Sequence, residues 1–374
     1  MTFKEKLKTN IYNIPGWRTK RHILVIESDD WGSIRMPSRA VYDELRNKGV
    51  RFAGYGYDEY DTLASRDDPQ CLFDVCQSVR DIRKRPVVIT ANCVMANPEF
   101  AKIKASGYNE YYYEPFTETL AKYYPNSNPF TLWFDGINNS LFCPQLHGRE
   151  HVNVQMWLNS LRENHGGARV AFEKGVYSIV VSKEEDVRQR NTTAFRYLSE
   201  DEKTFYRQSI MEAQQMFEKL FRHKSESFIA PAFSWDEDIE RWLSEVGVRY
   251  IQGVSMHFYQ GKRRFHAVGE KNGNGQHFLI RNASWEPTQN QGKDNNGECL
   301  RQIATAFRWG KPATISAHRL NFIGGIDKKN RDINLRCFAE LLKRIQKEWP
   351  DVEFMSTPEL GELISNYEQH FNHQ

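Results

Sequence analysis

Three apolar runs of the chain end in residues that ionise or ligate: Ile23-Leu-Val-Ile-Glu-Ser28 in Asp29-Asp30, Leu141-Phe-Cys-Pro-Gln-Leu146 in His147-Gly-Arg-Glu-His151, and Ala313-Thr-Ile-Ser-Ala317 in His318. Two imidazoles four residues apart on a helical turn point the same way and fill two corners of a divalent metal site. A carboxylate is wanted as the third ligand. Asp30 supplies it and leaves coordination positions open for water and substrate, as a catalytic metal requires. Two imidazoles and one carboxylate are borderline ligands, which points to zinc. An Asp pair by itself caps helices, and a lone His is usually structural. What joins these residues is their shared place after strand-like runs.

The elements that must position them alternate along the chain. Strands are expected at His22–Ser28, Arg85–Cys93, Ser140–Leu146, Gly175–Val181, Ser227–Phe233, Val248–Gln252, His277–Ala283, Pro312–Ala317 and Val352–Met355. Helices are expected at Val41–Lys48, Cys71–Lys84, Val152–Arg162, Glu200–Phe221, Asp236–Val246 and Asn334–Glu348, and from Pro358 onward. Ser199 and Glu202 stand in capping-box register at the start of the longest amphipathic helix. Between 97 and 129 the pattern dissolves into Tyr, Pro and Asn, which reads as a long irregular excursion. The β-α alternation predicts an α/β fold of parallel strands with helices outside, in which strand C-terminal ends converge on one site. No repeat or linker interrupts it, so one domain over 1–374 is expected, with insertions near 97–139 and 163–225.

Composition narrows the function classes. The formal net charge is +3, with 26% charged residues of both signs interspersed and no basic block, which argues against nucleic acid as a partner. The Lys-rich start is followed by Ile11-Tyr-Asn-Ile-Pro-Gly-Trp17 and not by an apolar stretch, so neither a signal peptide nor a membrane anchor is expected, and the compartment reads as cytoplasmic. Six cysteines without a CxxC pair read as reduced, mostly buried thiols. Nine tryptophans in a chain that is 13% aromatic offer flat faces for stacking on sugar rings, although most such residues serve packing.

With these residues in view, the chain resembles the polysaccharide deacetylases, the carbohydrate esterase family with the NodB-like homology domain. Glu27-Ser28-Asp29-Asp30-Trp31-Gly32 is similar to that family's Thr-Phe-Asp-Asp-Gly motif. His147-Gly-Arg-Glu-His151 matches its His-(Ser/Thr)-x-x-His spacing, and Ala313–His318 is similar to its apolar strand ending in His. Val88-Ile-Thr-Ala-Asn-Cys-Val94 and Glu353-Phe-Met-Ser-Thr-Pro-Glu-Leu360 are weaker echoes. The resemblance spans about Ile23 to Leu363. It implies a distorted (β/α)7-type barrel and a metal-dependent hydrolase that removes an acetyl or other acyl group from an N- or O-acylated sugar. In that reading Asp30, His147 and His151 bind the metal, Asp29 is the general base and His318 the general acid.

The chain departs from the family at two motifs. Ala230-Pro231-Ala232-Phe233 stands where the family has Arg-x-Pro-Tyr, and Arg281-Asn-Ala-Ser-Trp285-Glu286 keeps a Trp without the acid that precedes it. Arg281 is the candidate to pair with Asp29 instead, and Asp236 or Glu286 the candidate to tune His318. Trp31, Trp285 and Phe233 are candidate substrate-binding residues, and Tyr111 to Tyr113 are expected to border the cleft with Trp31. Three other readings stay open. His147–His151 also fits a His-x-x-Glu-His zinc peptidase with Glu150 as base; Asp29 and Glu286 would serve a glycosidase; and the altered motifs fit a carbohydrate-binding relative without catalysis.

Overall fold

The computed structural model describes residues 3–180, 191–259 and 261–371. Thirteen strands are present among them: β1 Ile23–Trp31, β2 Ile89–Cys93, β3 Ala96–Pro98, β4 Tyr113–Pro115, β5 Phe142–Leu146, β6 Ser227–Phe228, β7 Tyr250–Val254, β8 Met256–Tyr259, β9 Lys262–Phe265, β10 His277–Arg281, β11 Ala283–Ser284, β12 Ala313–His318 and β13 Glu353–Met355. Nine of them form one all-parallel sheet in the order β10-β7-β6-β5-β2-β1-β12-β11. The ninth, β13, pairs with the first residues of β1, below the point where β2 takes over that edge. The sheet curls into a nearly closed barrel with helices outside, and its seam falls between β10 and β11, which only Asn282 separates in the chain.

Burial on both faces explains the apolar runs. Ile23 to Ile26 are all at or below 1% exposed, because helices cover the outside of a parallel sheet while the opposite strands cover its inside. Pairing register then brings chemistry to one end: Asp29 lies opposite His318, and Cys93 lies between Trp31 and Leu146 on the neighbouring strands. The helix Glu200–Phe221 starts where its capping box predicts, with Ser199 accepting from the Glu202 N–H and the Glu202 carboxylate accepting from the Leu198 N–H.

Several expected elements take other forms. The helix expected over Cys71–Lys84 is Asp67–Gln77; beyond it, the Asp81 carboxylate accepts the N–H groups of Arg83 and Arg85 and turns the chain into β2. The excursion after 97 is ordered: β3 and β4 form a small antiparallel pair, and helices occupy Phe100–Ala105, Phe116–Tyr123 and Phe130–Asn138. Gly175–Val180 is not a strand, and Val181 lies outside the described residues. Instead Val176, Tyr177 and Ile179 join Trp157, Phe172 and Met36 in a second apolar cluster that seats this side of the molecule. The β8–β9 hairpin and the helices Phe3–Tyr12 and Asn295–Arg308 add to the expected elements.

Candidate metal centre and acid–base pair

Side chains alternate across a strand, so Glu27 and Asp29 share one face of β1 and Asp30 should take the other. The strand breaks that rule at Asp30. Its φ is +75°, and the register with β2 shifts between Ser28 and Trp31. This bulge brings both aspartates to the C-terminal end of the barrel, and a non-glycine residue in the left-handed region is backbone strain of the sort found at functional sites.

Asp29 sits in a ring of donors. Arg281, from the end of β10, makes a two-pronged ion pair with it, Nη1 to Oδ2 and Nη2 to Oδ1, both 2.7 Å, and turns its Nε to Glu27 at 2.5 Å. Asn92, from β2, donates to Asp29 Oδ1 at 2.7 Å and is itself braced by Gln252 of β7. Burial pushes Asp29 upward, but the Arg281 guanidinium outweighs it and holds the carboxyl well below the usual carboxylate range. Burial dominates at Glu27, whose pKa is raised despite Arg281 and the Thr357 hydroxyl.

Asp30 faces the histidines. Its Oδ1 lies 3.4 Å from His147 Nε2 and 3.1 Å from His151 Nε2 and has no hydrogen-bond partner, while Oδ2 accepts from Arg35 at 3.0 Å. All three side chains are buried, and their ligating atoms lie within 4.8 Å of one another. Ligand atoms around a tetrahedral zinc about 2.0–2.1 Å away stand about 3.3 Å apart, so the spacings from Asp30 Oδ1 match such a site. The donor chemistry fits as well. His147 Nδ1 points at the Ile229 carbonyl, 2.8 Å away, and as its donor leaves the Nε2 lone pair for a metal. Burial, then the nearby Arg35 charge, lowers the His151 pKa to about 4, so its ring is neutral at physiological pH.

The two histidines do not share a helical turn. Residues 147 to 151 form a loop, with Gly148 at φ +108° against the Phe195 ring, and the helix begins only at Val154. The expected helical geometry is therefore replaced by a glycine turn that reaches the same convergence. Glu150 is taken up elsewhere: its carboxylate pairs with Arg149 at 2.6 Å and accepts from Ser209 at 3.2 Å, and without the long helix the peptidase geometry is missing.

His318 lies across from Asp29, with Nε2 3.8 Å from Oδ2. Its Nδ1 is 2.5 Å from Glu286 Oε1, whose other oxygen accepts from Asn321 at 2.7 Å. Burial would lower the imidazole pKa, but Glu286 outweighs it and lifts it to about 9. Asp236 takes a different place, capping the helix Glu237–Glu245 through the Ile239 N–H and accepting the Tyr197 hydroxyl.

Of the aromatic candidates, Phe233 remains beside the site, its ring 5.8 Å from the Arg281 guanidinium. Trp31 and Trp285 do not. Both are fully buried: Trp31 packs edge-on against Trp133 and Phe142, and Trp285 stacks on Phe322 and meets Phe338 at a tilt. Large flat rings at strand ends fill the layer between sheet and helices here, so both belong to the core. Tyr111 and Tyr113 pack on the guanidinium of Arg149. Arg35, Asp61, Asn92 and Gln252 also reach the site, with no motif to mark them. Asn92, at the end of the Val88–Cys93 run, carried the only local signal, a polar residue closing an apolar strand.

A cavity of about 880 Å³ opens at the barrel seam beside this centre. Phe233, Arg281, Glu286, Ser316, Tyr12 and Asn290 are among the residues that line it.

No family model matches the chain, and no curated protein does. Among solved structures it is similar to an allantoinase, Puue, with 13% identity, a TM-score of 0.47 and 93% of each chain covered. It is also similar to peptidoglycan deacetylase PdaC from Bacillus subtilis, with 8% identity, a TM-score of 0.38, and 94% of this chain and 95% of that one covered. A third is BA3943, a CE4 family pseudoenzyme from Bacillus anthracis, with 8% identity, a TM-score of 0.38 and 91% of this chain covered; the chain spans 65% of that protein's length. At these levels the functional reading rests on the site's own geometry. No helix among the described residues is long and apolar enough to cross a membrane.

Proposed function

We propose that the chain is a metal-dependent hydrolase that removes an acetyl or other acyl group from an N- or O-acylated sugar. The observation that carries this reading is the unpaired Asp30 Oδ1 facing two imidazole nitrogens, one strand residue away from an ionised Asp29 that lies 3.8 Å from His318. Asp30, His147 and His151 hold a divalent ion, with zinc preferred for this ligand set. Such an ion supplies Lewis acidity, polarising the acyl carbonyl and easing the ionisation of water.

Asp29 takes the proton of the attacking water as the new C–O bond forms. Its low pKa keeps it ionised and ready, and Arg281 and Asn92 hold it in one orientation. His318, protonated at neutral pH through Glu286, gives its proton to the departing amine or alkoxide as the C–N or C–O bond breaks. The products are the free acid and the deacylated sugar. Arg281 thus does for Asp29 what the resemblance would assign to the arginine missing before Pro231, from a different strand.

The seam cavity supports a carbohydrate as the acylated partner. Polar residues, among them Asn13, Asn282, Asn290 and Asn295, line it together with Tyr12 and Phe233, a mixture of the kind that meets hydroxyls and pyranose faces. The test is metal analysis of the purified protein together with acetate release from a panel of N- and O-acetylated sugars. Bound zinc with acetate release supports the reading. Sugar released without acetate would favour a glycosidase, and bound metal without turnover would favour a carbohydrate-binding protein.

A further inference from the structure

Arg35 is 7% exposed and stands at the edge of the proposed metal centre. Its Nη2 donates to Asp30 Oδ2 at 3.0 Å and lies 3.2 Å from His151 Nε2. The second contact conflicts with metal binding. A neutral imidazole with Nε2 unprotonated has one lone pair there, and that lone pair can accept from a guanidinium or bind a metal, but not both.

A second partner is already in place for Arg35. Its Nε faces Asp61 Oδ2 at 3.3 Å, yet neither atom has a hydrogen bond, although both are buried. Asp61 Oδ1 is held by Arg319 at 2.7 Å, so the carboxylate cannot turn away, and its free oxygen stays aimed at Arg35. Tyr57 lies under the guanidinium, 4.6 Å from ring centre to the guanidinium carbon, and gives it a flat surface to slide along. Buried unpaired donors and acceptors are costly, so two of them facing each other just outside bonding geometry mark an interaction one side-chain adjustment away.

We infer that Arg35, anchored on Asp30 Oδ2, is a built-in cation that occupies the ligating Nε2 of His151 until a divalent metal displaces it toward Asp61. This rests on the metal reading above and goes beyond it: it makes metal uptake an exchange of one cation for another and makes affinity depend on two residues that never ligate. Before the exchange, Arg35 ties the strained Asp30 to His151. It also sets a threshold, because an ion must outcompete a resident guanidinium before the site closes on it.

The opposite role is a simple brace, in which Arg35 only orients Asp30 for the metal, and the two roles predict opposite signs. The full-length protein would be titrated with Zn²⁺ against a chromophoric chelator. If Arg35 competes, Arg35→Met tightens zinc binding about ten- to a hundredfold, the range over which residues bordering a metal site tune affinity. Asp61→Asn removes the resting partner and weakens binding by a similar factor. Arg35→Gln, which keeps one donor for Asp30 without the charge, serves if the methionine variant does not fold, and it should also tighten binding. Unchanged or weaker binding in the Arg35 variants overturns the proposal. Failure of the metal reading itself would look different: wild type and Arg35 variants would all bind no more zinc than the protein carrying Ala at Asp30, His147 and His151.

Discussion

Arg281 and Asn92 grip Asp29 through three hydrogen bonds of 2.7 Å, whereas Asp30 keeps Oδ1 unpaired toward the histidines, so the two neighbours should answer substitution differently. Asp29→Asn should retain zinc and lose turnover by about 10²–10⁴, the usual contribution of a positioned acid or base. Loss of zinc in that variant would mean Asp29 is a ligand. At His318 the sign of the pH effect follows from Glu286. The imidazole pKa is raised from 6.5 to about 9, so the proton donor persists to alkaline pH and kcat/KM should fall as pH passes about 9. The same shift is a stability statement. Having a folded-state pKa above the unfolded one, the ion pair contributes fully below about pH 6.5 and loses its contribution as pH rises through about 9. Glu286→Gln should move both the alkaline limb and the His318 titration, followed by NMR, down by at least about one unit. An unmoved titration would show that Glu286 does not set the imidazole's charge.

At the scale of elements, the proposed metal ligands depend on two backbone irregularities rather than on regular structure. The bulge at Asp30 turns its carboxylate toward His147 and His151, and Gly148 at φ +108° folds the loop between them. A Cβ at Gly148 would meet the Phe195 ring at 3.2 Å as well as carry the cost of a left-handed backbone. Gly148→Ala should therefore cost on the order of 1–3 kcal/mol of stability and weaken zinc binding, because the strain relaxes by moving one histidine relative to the other. Gly273, which has open space around it and no positive φ, provides the control, and Gly273→Ala should leave zinc binding unchanged. Chemical denaturation and chelator competition read the two effects separately. Equal behaviour of both variants would remove the loop from the account of metal affinity.

Across the whole molecule, the site is a set of buried charges collected by the barrel. Glu27, Asp29, Asp30, Asp61 and Glu286, all at most 7% exposed, face Arg35, Arg281, Arg319 and His318, so the metal-free centre holds five carboxyl groups against three guanidiniums and one imidazole. Carboxylates gathered in this way favour the folded state more strongly once a divalent ion joins them. Zinc at about a hundred times its dissociation constant should raise the unfolding free energy by about 2.7 kcal/mol, with Tm rising accordingly, and EDTA should reverse the shift. The protein carrying Ala at Asp30, His147 and His151 should show neither effect. A zinc-induced rise in Tm that survives those substitutions would place the ion elsewhere.

Much of this architecture can be read from local pattern. Apolar runs between helical stretches are enough to place most strands of a parallel sheet, since burial on both faces demands continuous hydrophobicity. Acids and histidines just beyond those runs mark the mouth, since parallel strands present their ends together. The capping box at Ser199 likewise depends only on neighbours in the chain. What local pattern leaves open is where a side chain points once the backbone stops being regular, and which distant residue meets it. Trp31 and Trp285 look like sugar platforms but are core, because the space between sheet and helices exists only after folding. The histidine pair looked helical, yet the turn at Gly148 answers to the Phe195 ring, which lies 47 positions further along. Arg35, Asp61 and Asn92 acquire their roles only through partners on other strands and loops. Arg281 could be suspected of reaching Asp29, 252 residues away, but only the closing of the barrel sets their two-pronged contact.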